Sequence, residues 1–175
     1  TGSGSHMSPR WSPKGDRLAY ISSPEDGRPQ LFVRWLQTGQ TARLAELVEG
    51  PDSLTWSPDG KWIAFTMFAP DSKQPLGEAP PKPENAQWAP PLEVITDITY
   101  RTDESGYLKP GYTHVYVIAA DGGTPRQLTY GAFNESGPLS WSPDGSSIIA
   151  TGNRNPNWQR EPVNSQLYRI SVADG

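Results

Sequence analysis

Three times along the chain a tryptophan and a polar turn lead into a short apolar run. Trp11-Ser12-Pro13-Lys14-Gly15 precedes Leu18-Ala19-Tyr20-Ile21, and Trp56-Ser57-Pro58-Asp59-Gly60 precedes Ile63-Ala64-Phe65-Thr66. The third copy, Trp141-Ser142-Pro143-Asp144-Gly145, precedes Ile148-Ile149-Ala150-Thr151. Proline presets φ at the first turn position and glycine tolerates φ > 0, so each copy predicts a tight turn joining two antiparallel strands. The in-register tryptophans are expected in the core, where each ring would remove about 200 Å² from water.

The first two tryptophans are 45 residues apart, the length of a four-stranded propeller blade. The next interval is 85 residues, which fits one repeat carrying an insertion of about 40. Residues 70 to 91 contain seven prolines and predict an extended excursion outside any sheet, since proline cannot donate to a strand ladder. Beyond it, residues 93–100 and 114–119 read as strands, followed by the Asp121-Gly122-Gly123 turn and a short strand at 126–129.

Four strands per blade place blade 1 at 8–12, 17–22, 30–36 and 41–48, and blade 2 at 52–57, 62–68, 113–119 and 125–129. Blade 3 takes 138–142, 147–152 and 166–172 and lacks its outer strand. The expected fold is therefore all-β: a partial β-propeller of about three four-stranded antiparallel blades. Its divisions are residues 1–7, read as an expression-tag remnant, 8–50, 51–130 with an insertion at about 69–112, and an incomplete 131–175.

Composition narrows the function. Proline (19) and glycine (17) exceed a fifth of the chain, as turn-rich β structure requires, while seven Trp and seven Tyr argue against disorder. A net charge of −4 offers no basic footprint, so nucleic acid is not an expected partner. No apolar run approaches the length of a membrane helix, and no membrane partner is expected. The chain has no cysteine, which excludes disulfides and thiolate chemistry. Bacterial periplasm and cytoplasm both stay open as compartments.

Catalytic signals are absent. No Gly-x-Ser-x-Gly nucleophile elbow occurs, and the histidines are His6, in the tag remnant, and His114, read as a structural residue at a strand edge. The acidic pairs Glu25-Asp26 and Asp103-Glu104 sit in turns and read as solvated. Asp59 and Asp144 lack the alternating oxygen ligands of a calcium loop and read as turn hydrogen bonders. No catalytic residue, metal or cofactor is expected.

The repeats resemble propellers of two kinds, those of the TolB protein and of the N-terminal domains of prolyl oligopeptidase-family serine peptidases. More specifically, Trp88-Ala89-Pro90-Pro91-Leu92, Tyr100-Arg101-Thr102-Asp103 and the run from His114 to Thr129 resemble the acylaminoacyl-peptidase and dipeptidyl-aminopeptidase types. The resemblance implies a parent in which a propeller of seven or eight blades covers an α/β-hydrolase carrying a Ser-His-Asp triad and gates access of short or N-blocked peptides. The expected partners are then the remaining blades, the hydrolase domain and a peptide substrate. A TolB-like interaction scaffold, and an excised repeat fragment that self-assembles, are the alternatives.

In a propeller the connections between second and third strands emerge on one face, and here they are the long ones: 23–29, 69–112 and 153–165. That face is where function is expected. Its candidate residues are Trp88, Arg101, Tyr107, Arg154, Trp158, Arg160 and Glu161. An open array also exposes the apolar sides of its terminal blades, so self-association is expected.

Overall fold

The computed structural model describes residues 4–24, 27–71, 83–85, 87, 95, 97–103 and 106–175. Strands β1 (Gly4–Trp11), β2 (Arg17–Pro24), β3 (Gln30–Trp35) and β4 (Thr41–Arg43) form the first sheet in chain order. The second takes β5 (Pro51–Trp56), β6 (Trp62–Pro70), β9 (Gly111–Ala119) and β10 (Arg126–Gln127), while β7 (Arg101–Thr102) and β8 (Gly106–Tyr107) form a separate hairpin. β11 (Glu135–Trp141), β12 (Ser147–Gly152) and β13 (Gln166–Ser171) make the third, which has three strands. Every pairing is antiparallel, as expected of propeller blades.

The serine of each turn organises its hairpin. Ser57 Oγ donates to Asp59 Oδ1 at 2.6 Å and accepts the Trp62 N–H at 2.9 Å, while the Gly60 N–H donates to Ser57 O at 2.9 Å. Ser142 repeats this with Asp144 and Ser147. In the first copy Lys14 stands where the others have aspartate, and Asp16 takes over, accepting from Ser12 Oγ at 2.7 Å. Gly15, Gly60 and Gly145 all lie near φ +70°, the left-handed region that a side chain disfavours.

Strand alternation sends successive side chains to opposite faces, so the core lies between blades. From the second blade Ile63, Phe65, Met67, Tyr116 and Ile118 pack against Ala19, Ile21, Leu31 and Val33 of the first. On its other face Ala64, Val115 and Val117 meet Leu139, Ile148, Ala150 and Ile170 of the third.

The tryptophans bolt these layers together. Trp56 Nε1 donates to Arg10 O at 2.9 Å, and Trp141 Nε1 donates to Thr55 O at 3.3 Å, in both cases the carbonyl one residue before the preceding blade's tryptophan. Arg17 adds a clamp, donating to Gly60 O at 2.7 Å and lying 5.0 Å from the Trp56 ring centroid. Trp11, expected in the core, is instead 62% exposed, because it faces outward from the first blade rather than onto a neighbour.

Several details differ from the sequence reading. Residues 4–7, left outside the fold as a tag remnant, extend β1 and pair with residues 21–24. The outer strands shorten to Thr41–Arg43 and Arg126–Gln127. Of the strand expected at 93–100, residues 97–100 adopt none, and 93, 94 and 96 lie outside the described residues. So does most of the proline-rich stretch. The β7–β8 hairpin was not foreseen, since two-residue strands leave no alternation to read.

Candidate functional site

β6 and β9 pair from Trp62↔Ala119 out to Pro70↔Gly111, and this long ribbon carries the insertion to the end of the blade where β11 begins and β12 ends. The 153–165 connection emerges at the same end. Between the two lies a cleft of about 670 Å³, lined in part by Asp71, Asp97, Tyr100, Tyr107, Tyr112, Asn134, Trp158 and Gln159.

Gln159 ties the cleft's two walls. Its Nε2 donates to Asp97 Oδ1 at 3.1 Å, and its Oε1 accepts the Ile98 N–H at 2.8 Å. Tyr112 meets Trp158 edge-on with centroids 6.4 Å apart, and Tyr100 lies 6.2 Å from Tyr107. The backbone bond from Leu108 N–H to Tyr100 O at 2.8 Å holds the latter pair across the β7–β8 hairpin. Burial pushes the Tyr112 phenol above its ordinary pKa, and the Asp97 and Asp71 carboxylates push it further. Lys109, which also lines the cleft, lies 3.4 Å from Glu49.

Beside the cleft is a buried charged cluster. Glu135 is fully buried at the start of β11, and Arg154 donates to its Oε1 through Nε at 3.0 Å and also through Nη2. Phe133 and Tyr168 sandwich the guanidinium, with centroids 4.7 and 4.0 Å from Cζ. The second oxygen, Oε2, has no hydrogen-bond partner among the described residues and sits where a Cβ on Gly152 would approach to 2.7 Å. In the second blade the corresponding register pair is Pro51↔Met67, so an apolar pair is replaced here by a carboxylate opposite glycine.

Burial raises the Glu135 pKa, with the Arg154 bond and charge opposing it. His114, buried within β9 rather than at a strand edge, contacts Thr129 Oγ1 at 3.3 Å and the Phe133 ring edge-on. Its pKa falls through burial and, secondarily, the Arg154 charge.

Of the residues singled out from sequence, Tyr107 and Trp158 line the cleft. Arg101 is exposed on the hairpin, paired through its backbone with Tyr107. Arg154 turns inward to Glu135. Glu161 Oε2 accepts from Asn155 Nδ2 at 2.7 Å and from Asn164 Nδ2 at 3.3 Å, which shapes its own loop. Arg160 is exposed, and Trp88 lies outside the described residues. Asp71, Asp97, Tyr112 and Gln159 were not singled out, because nothing local marks residues that converge from distant connections. Among the described residues no group of three or more His, Asp or Glu could hold a metal ion, and no helix is long and apolar enough to cross a membrane.

Residues 84–175, just over half the chain, match the family described as the dipeptidyl peptidase IV (DPP IV) N-terminal region. The chain belongs to this family. The uncharacterized peptidase YuxL of Bacillus subtilis (strain 168) is 27% identical to the chain over 145 residues, covering 83% of this chain and 21% of that protein. The acylaminoacyl peptidase of Pyrococcus horikoshii shares the fold at a TM-score of 0.59 and 20% identity, over 83% of this chain and 20% of that one. TolB from Acinetobacter baumannii does so at a TM-score of 0.56 and 19% identity, over 98% of this chain and 31% of that one. The chain thus spans between a fifth and a third of the length of these proteins.

Proposed function

We propose that this propeller segment scaffolds the α/β-hydrolase domain of a prolyl oligopeptidase-family serine peptidase and gates access of short or N-blocked peptides to it. Membership of the DPP IV N-terminal region family is the observation that carries this reading, and the likeness to YuxL, a protein itself named a peptidase, supports it. The elaborated face supports it. Its long connections build a cleft of about 670 Å³, to which Tyr107 and Trp158 contribute contact area, while Arg101 and Arg160 remain exposed for a partner.

The test is to extend the reading frame beyond this chain and look for Gly-x-Ser-x-Gly followed by Asp and His. The longer product should react with a fluorophosphonate probe and hydrolyse an acetyl-alanine anilide, whereas the 175-residue chain should do neither. Hydrolysis by this chain alone, or a frame with no hydrolase, would overturn the reading. The second outcome would favour a TolB-like interaction scaffold, a reading supported by the fold likeness to TolB.

Partner blades follow from the terminal faces. Trp11, Tyr20 and Phe32 project from the first blade on the side that, in the second, carries Trp56, Phe65 and Tyr116 into the core. Tyr20 and Phe32 stack at 5.8 Å, as Phe65 and Tyr116 do at 5.7 Å. That face is built to receive another blade, which further blades of the parent, or a second copy of this chain, would supply.

A further inference from the structure

We propose that the cleft between the 69–112 and 153–165 connections binds the cationic side chain of a peptide, held by the Asp71 and Asp97 carboxylates among the rings of Tyr100, Tyr107, Tyr112 and Trp158. The inference rests on the reading that this face meets peptides, and it adds the chemistry of the group received.

The cleft volume, about 670 Å³, is within the range of ordinary ligand sites. Four aromatic rings line it, and aromatic faces attract cations through their quadrupole, arginine most often among side chains. Among the described residues the charged ones on the lining are Asp71, Asp97 and Lys109, and Lys109 is paired with Glu49, which does not line the cleft. Burial raises the Tyr112 pKa first, and the nearby Asp97 and Asp71 carboxylates raise it further, so both carboxylates lie close to this ring.

The occupant follows from this balance. An anion would meet two carboxylates and a cation already engaged. A purely apolar group would strip water from Asp71 and Asp97 without replacing their hydrogen bonds. A guanidinium answers both surfaces, because its plane stacks on aromatic rings while its N–H groups reach a carboxylate. Asp97 Oδ1 already accepts from Gln159, which fixes the carboxylate's orientation before any ligand arrives and lowers the ordering cost of binding.

The test uses the 175-residue chain and three tripeptide amides followed by NMR titration or calorimetry. Acetyl-Ala-Arg-Ala-amide carries its one charge on the side chain, its citrulline isostere carries none, and Ala-Ala-Ala-amide carries one at the amino terminus. The arginine peptide should bind, the citrulline peptide should bind at least about tenfold more weakly, and affinity should fall as salt is raised. Asp71→Asn and Asp97→Asn, both at exposed positions, should each weaken binding by about threefold to tenfold. Far-ultraviolet circular dichroism would check their folding.

Equal affinity for the arginine and citrulline peptides, no binding of the arginine peptide, or indifference to both Asp substitutions would overturn the proposal. Tighter binding of Ala-Ala-Ala-amide would do the same, by assigning the cleft to a chain terminus. Because binding is read without any hydrolase, these failures are distinct from a failure to find peptidase activity in the longer product.

Discussion

At the residue scale, the Glu135–Arg154 pair is where the chain departs most from its own repeat. A carboxylate with no exposure is held by one cation, so losing that cation costs more than the pair itself contributes. Arg154→Met should lower stability by about 3 kcal/mol at pH 7, read from urea denaturation. The double variant Glu135→Leu/Arg154→Met should recover most of that loss. The pH dependence has a definite sign. The folded pKa of Glu135 is raised, so its contribution is most favourable below the ordinary carboxylate range and declines as pH rises towards the folded value. His114 works the other way. Its folded pKa is depressed, so its contribution is complete above the ordinary imidazole value and is lost as pH falls through that range. His114→Phe should therefore flatten the fall in urea midpoint between pH 7.5 and 5.5. The pair was not legible in the sequence, where Glu135 was not singled out and Arg154 was a candidate for the elaborated face rather than for an inward ion pair. Glu135 meets Gly152 only through strand register, and Arg154 reaches it only through the fold of the 153–165 connection.

At the element scale, the hairpin is the unit and its turn was legible almost in full. Serine, proline, glycine and an acid are each needed locally, so the motif carries its geometry in five residues. Even the substitution of Lys14 is absorbed by Asp16 within the same turn. Strands beyond the turn were less legible: the short outer strands carry little apolar alternation, and the insertion pairs through two-residue segments. The repeated tryptophans permit an internal comparison. Trp56→Phe removes a hydrogen bond to Arg10 O at the first inter-blade layer and should cost about 1 kcal/mol from that bond alone, with lost ring volume adding to it. Trp11→Phe, at the exposed end of the series, should stay within about 0.5 kcal/mol in the dissociated chain. Chemical denaturation at low protein concentration separates the two. Equal costs would mean that the tryptophans stabilise their own hairpins rather than the layers between blades.

At the scale of the whole molecule, three blades make two inter-blade cores and leave two outer faces. The first carries Trp11, Tyr20 and Phe32, and the opposite face of the third carries Ile149, Leu167 and Arg169. The repeat length made the number of blades legible, whereas the cleft was not, because its walls are brought together only when blades stack. Unlike faces at the two ends favour head-to-tail contact, and stacking in that sense can close a ring. In repeat architectures stability is shared between neighbours, so an uncapped array gains from every blade added to it. The central claim is that this chain is a section of a propeller whose terminal faces are made to be covered. Sedimentation velocity of the 175-residue chain from about 1 to 100 μM tests it most directly, with Trp11→Arg run alongside. The account predicts mass rising with concentration for the parent chain and a shift towards monomer for the variant. A stable monomer across the whole range, with an unchanged profile in the variant, would contradict it.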